Sequence, residues 1–161
     1  MREVYLDPGA PKEVRRRALE ASVRAQEDWH TAAVRAAYHS GDIEWRLTAV
    51  ICMCYVRGFD REIVEALERG DSQIRYQAVR AAGNWAVDAA WPHVRALVRA
   101  EQIDDRALLL AAIDAGAGIR PDEAAELLAD LADSEDEEIA DAVFEALATV
   151  ERHGNGPEDA E

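Results

Sequence analysis

A short helical pattern recurs about every 31 residues, and that spacing limits what this chain can fold into. Apolar anchors stand at Ala18, Ala49, Ala78, Leu109 and Ala142, at intervals of 29 to 33 residues. Three residues before the first four anchors stand Arg15, Arg46, Arg75 and Arg106; Ile139 takes that place in the fifth. Asp42 and Asp71 stand seven residues before their anchors. Each interval holds two short amphipathic helices, and a pair that small cannot cover both of its own apolar stripes. Stacking on neighbours covers them, which is the logic of a solenoid. The expected fold is all-α, a right-handed α-solenoid of about four to five helix pairs of ~31 residues.

The third unit, DSQIRYQAVRAAGNWAVDAAWPHVRALVRA, shows the pattern best. Ile74, Ala78, Val79 and Ala82 line one helical face, and Trp91, Val94, Leu97 and Val98 line a second. Gly83-Asn84 is expected to break the first helix, and Asp88 to cap the second with Pro92 in its first turn. In the first unit the stripe is Val14, Ala18 and Leu19, then Trp29, Ala32, Ala33 and Ala36. In the second, Gly58 ends the first helix, Asp60 caps the next, and Gly70 suits a left-handed C-terminal position. The fourth starts near Ile103, and Gly116 and Gly118 read as helix breakers. The fifth opens on Ser134, with Glu137 three residues on, as a capping box does. The expected organisation is a lead-in over residues 1–10, a repeat domain over 11–150 and a disordered acidic tail over 151–161. Tyr5 and Leu6 are expected to cover the first end of the array.

Charge is divided unevenly. Residues 1–100 carry a net +1 and residues 101–161 a net −16, giving the overall −15. An acidic half repels phosphate, so no nucleic-acid partner is expected. No apolar run is long enough to span a bilayer and the N-terminus lacks an apolar signal core, so no membrane partner and a cytoplasmic location are expected. Cys52 and Cys54 stand two residues apart and point about 200° apart on a helix, which suits two buried thiols rather than a shared metal or a disulfide.

The segments EVRRRALEAS, EWRLTAVICM, IRYQAVRAAGNWAVDAAWPHVRALV and, more loosely, DRALLLAAIDAGAG share one pattern: apolar-Arg, two residues, then Ala-apolar and small residues. Over residues 11–150 it resembles HEAT-like repeats, in the short-unit form of phycobilin lyases. The fifth unit departs from it, lacking both the arginine and a second helix. The resemblance implies a scaffold that binds other molecules on its concave face. It also leaves room for a subunit or relative of a chromophore lyase, or for a HEAT-like nucleic-acid-binding protein.

No catalytic constellation stands out. HExxH, GxSxG, Walker and GxGxxG patterns are missing, and no metal site or cofactor is expected. The arginine row Arg15, Arg46, Arg75 and Arg106 has two readings: a structural ladder onto Asp42, Asp71 and neighbouring carbonyls, or a surface for a partner. His30, Val34, Arg35, Tyr38, His93, Arg95 and Arg99 fall away from the expected stripes, and His39 beside Tyr38 ends a helix. Arg35, Tyr38, His39, His93, Arg95 and Arg99 are therefore the candidate binding residues, since Tyr and Arg are the types that anchor interfaces. The expected function is non-enzymatic binding of a protein or peptide, with a basic partner favoured by the acidic half.

Overall fold

The computed structural model describes residues 1–100 and 105–154. The start of the fourth unit at Ile103 and the tail residues 155–161 lie outside them. The described residues form ten α-helices and one short 3-10 turn, with no strand. The helices group into two compact units, Met1–Ala81 and Ala82–Glu161.

In the first unit α1 (Arg2–Leu6) and α2 (Lys12–Ser22) pack together, and α4 (Ile43–Met53) packs on α2, α3 (His30–Tyr38) and α5 (Asp60–Arg69). α6 (Ser72–Asn84) follows, and its last three residues belong to the second unit. The core holds Leu19, Val34, Ala49, Val50, Met53, Phe59, Ile63, Ile74 and Val79. Tyr5 is half-buried, its ring 5.5 Å from Trp29 and 6.0 Å from Trp45, whereas Leu6 is exposed. Val14 also faces solvent. Cys52 and Cys54 are buried free thiols; burial raises both pKa values, that of Cys54 to about 11, so neither is a ready thiolate.

α3 turns a different face inward from the expected one. His30, Ala33, Val34, Ala37 and Tyr38 are buried, while Ala32 and Ala36 are exposed and Trp29 is half-buried. His30 can be buried because both ring nitrogens are bonded. Nδ1 accepts from the Glu27 amide at 2.9 Å, so Nε2 carries the proton and donates to Ser22 Oγ at 2.9 Å. The Ser22 hydroxyl in turn donates to the Leu19 carbonyl at 2.9 Å.

Helix ends follow aspartates more than glycines. Asp42 caps α4, accepting from the amides of Glu44 and Trp45, and Asp71 accepts from the Ile74 amide at 3.0 Å. Asp60 is the first residue of α5 rather than its cap, which is Phe59. α4 stops at Met53, and Gly58 supplies a left-handed turn, φ +94°, before α5. Gly70 is extended, not left-handed. A Cβ there would run into the Ala66 carbonyl oxygen, so packing, not φ, demands glycine.

In the second unit α8 (Arg106–Ile119) packs on α7 (Trp91–Arg99), α9 (Pro121–Ala129) and α10 (Glu137–Gly154). Asp105 caps α8, accepting from the Leu108 amide at 3.0 Å. Asp136, not Ser134, caps α10, accepting from the amides of Glu138 and Ile139. α10 continues through residues 151–154, the start of the expected tail. Asp88 opens the 3-10 turn (Asp88–Ala90) without a capping bond, and its carboxylate goes to Arg120. α6 ends on Gly83-Asn84, as expected, whereas α8 continues through Gly116 and Gly118 to Ile119. The glycines are set by close approach: a Cβ at Gly118 would lie 2.8 Å from the Gly83 carbonyl oxygen, and one at Gly83 would lie 2.8 Å from Ala115 Cα.

Within each unit, side-chain bonds recur between residues 28 to 32 apart. Lys12 meets Asp42, Arg16 meets Thr48, and Thr48 meets Glu20 in the first. Trp91 meets Glu123, Arg106 meets Asp136, and Arg120 meets Asp88 in the second.

Candidate functional site

In the second unit a groove of about 290 Å³ runs between α7 and α9. α7 supplies Trp91, Arg95 and Arg99, spaced four residues apart and therefore on one face. The other wall carries Glu123, Glu126, Leu127 and Asp130. Trp91 is almost fully buried, so it fixes the floor. Its indole Nε1–H donates to Glu123 Oε2 at 3.0 Å. Glu123 also holds Arg120, whose guanidinium forks onto Asp88 at 2.7 and 3.0 Å. Arg120 in turn keeps the Asp88 carboxyl below the usual carboxylate range. One end of the groove is thus closed by a bonded network.

The remaining charges are not consumed that way. Among the described residues, Arg95 and Arg99 have no ion-pair partner, and neither do Glu126 and Asp130. Two cations from one element and two anions from the other thus line one groove without pairing with each other. Such a lining suits a guest that supplies the missing partners.

The other expected binding residues fare differently. Tyr38 is 3% exposed and belongs to the core, its hydroxyl donating to the Glu62 carbonyl at 3.1 Å. Burial pushes its pKa up to about 12. His30 and Val34 are likewise core residues. Arg35 is engaged locally, over the Phe59 ring at 5.2 Å, 3.8 Å from the Glu62 carboxylate and 3.4 Å from the Gly58 carbonyl oxygen. His39 is exposed and 3.8 Å from the same carboxylate. These three therefore gather about buried Glu62 in the first unit. His93 is half-buried on α7 and does not line the groove; Arg95 and Arg99 do. The Tyr38→Phe variant is expected to keep any binding by the groove while losing about 1 kcal/mol of stability, the worth of one buried hydrogen bond. Urea unfolding beside a binding isotherm measures both.

The arginine row is not one uniform ladder. Arg15 donates to the Tyr5 carbonyl at 2.8 Å and stacks on Trp45 at 5.6 Å. Arg46 lies over the Tyr38 ring at 5.6 Å. The Nε atoms of Arg46 and Arg75 are buried without a hydrogen-bond partner, while Asp42 and Asp71 cap their helices. Arg106 does reach carboxylates at the start of α10, placing Nη1 2.6 Å from Asp136 and Nε against Glu138. Lys12 repeats this device on Asp42 and Glu44. Lys12 lowers the Asp42 pKa and Arg106 lowers that of Asp136. The network of Arg16, Thr48 and Glu20 had no signature in the sequence, since a buried threonine looks like any helix residue.

Among the described residues no group of three or more His, Cys, Asp or Glu side chains is placed to hold a metal ion. None of their helices is long and apolar enough to cross a membrane.

No protein-family model matches the chain, and no curated protein matches it. It is similar to the crystal structure of an engineered protein, a Northeast Structural Genomics Consortium target, with a TM-score of 0.56 and 23% identity over 92% of this chain and 78% of that one. At that identity the likeness concerns the fold alone.

Proposed function

We propose that the chain is a non-enzymatic binding module, a HEAT-like right-handed solenoid of helix pairs whose second helices present a groove to a protein or peptide. The observation that carries the binding reading is the groove itself: two arginines and two carboxylates, all without ion-pair partners among the described residues, on facing walls. The repeat reading is supported by the side-chain bonds between residues 28 to 32 apart, which is what stacking of like units places in contact. The carboxylate wall and the net charge of −15 favour a protein partner with cationic side chains over nucleic acid.

Selection of displayed random peptides on the folded protein tests the reading. Enriched peptides are expected to lose at least tenfold in affinity for the Arg95→Glu, Arg99→Glu double variant. Peptides that bind this variant as well as the parent would place the site elsewhere, and a selection that enriches nothing would count against a peptide-binding module.

A further inference from the structure

The walls of the groove have a pitch as well as a charge. Arg95 and Arg99 are one helical turn apart, and so are Glu126 and Asp130. Four residues of helix rise about 6 Å, so each wall repeats its charge at that distance. In an extended peptide successive side chains point to opposite sides, and residues i and i+2 on one side are about 6.6 Å apart. The two pitches match. We propose that the groove takes an extended peptide segment of alternating charge, with acidic side chains at one parity meeting Arg95 and Arg99 and basic ones at the other meeting Glu126 and Asp130. Half-buried Leu127, above the Trp91 floor, supplies apolar surface against the aliphatic stems of the guest. This rests on the binding reading above and adds the partner's charge pattern.

Several features narrow the guest. Glu123 is taken by Trp91 and Arg120, so the guest meets the two free carboxylates rather than three. A wholly basic segment leaves Arg95 and Arg99 opposed by like charge; a wholly acidic one does the same to Glu126 and Asp130. A helical guest does not fit the pattern, because alternate residues on a helix point about 200° apart and do not form two clean rows.

The test uses capped, fluorescein-labelled octapeptides and the full chain. Alternating Glu and Lys is compared with four Glu followed by four Lys, which has the same composition and zero net charge, so only geometry differs. All-Lys and all-Glu octapeptides complete the set, and anisotropy is read at low salt. The alternating peptide is expected to bind at least tenfold more tightly than the block peptide. Arg95→Glu with Arg99→Glu should abolish that preference. Adding Glu126→Arg and Asp130→Arg should restore it, because exchanging the two walls leaves an alternating guest equally well matched. Equal binding of alternating and block peptides, still reduced by the arginine variant, would overturn the charge pattern and leave the peptide groove standing. No binding of any of the four peptides would overturn both.

Discussion

Replacing His30 with alanine is expected to lower the unfolding free energy by about 3–4 kcal/mol, and the melting temperature by on the order of 10 °C. Two losses add. The ring is 1% exposed and leaves a cavity among core side chains. Its removal also strips the Glu27 amide of its acceptor and Ser22 Oγ of its donor. Leaving a buried donor or acceptor without a partner costs more than the bond itself contributes. The milder Ser22→Ala change should cost about 1–2 kcal/mol by orphaning only Nε2–H. Urea denaturation of the three proteins measures the series. A His30→Ala loss below about 1 kcal/mol would mean that the ring is not the buried relay described.

The second large effect separates three glycines that look alike in the sequence. Gly118→Ala and Gly83→Ala should each cost about 1–3 kcal/mol, since either Cβ would come within 2.8 Å of backbone across the contact between α6 and α8. Gly116→Ala, two residues from Gly118 on the same helix, should gain about 0.5–1 kcal/mol. Its added Cβ would find neighbours no nearer than 3.6 Å, and alanine is the better helix former. Thermal melts of the three variants check the order. A destabilised Gly116→Ala beside a tolerated Gly118→Ala would contradict the packing of α6 on α8.

These variants also show where sequence reasoning stopped. Helix positions were legible because apolar residues recur at helical spacing, and buried Ile74, Ala78, Val79 and Ala82 in α6 lie where that spacing puts them. Propensity alone makes Gly116 and Gly118 helix breakers, but it penalises each by about 1 kcal/mol, too little to end a helix that gains a close contact at Gly118. The face of α3 was ambiguous because HTAAVRAAY has alanines on both sides. Val34, Tyr38 and His30 decide it, and two of these carry polar atoms that looked suited to solvent until the structure supplied partners for them. Half of the groove was visible beforehand, since Arg95 and Arg99 fall off the apolar stripe of α7. The opposing wall was not, because Glu126 and Asp130 are two acids among the 19 in residues 101–161, with no local mark that sets them apart.

Whether the groove between α7 and α9 receives a peptide is reported directly by the indole resonances of the tryptophans. Titration of the 15N-labelled protein with the alternating Glu-Lys octapeptide should move the Nε1–H signal of Trp91, because the guest enters beside the bond to Glu123. The Trp29 signal should stay in place, its Nε1 being buried in the first unit and Trp29 not among the residues that line the groove. A saturating shift of Trp91 that disappears in the Arg95→Glu, Arg99→Glu variant is the expected result. A Trp91 signal that stays fixed while other signals move would put the binding surface elsewhere and contradict the account.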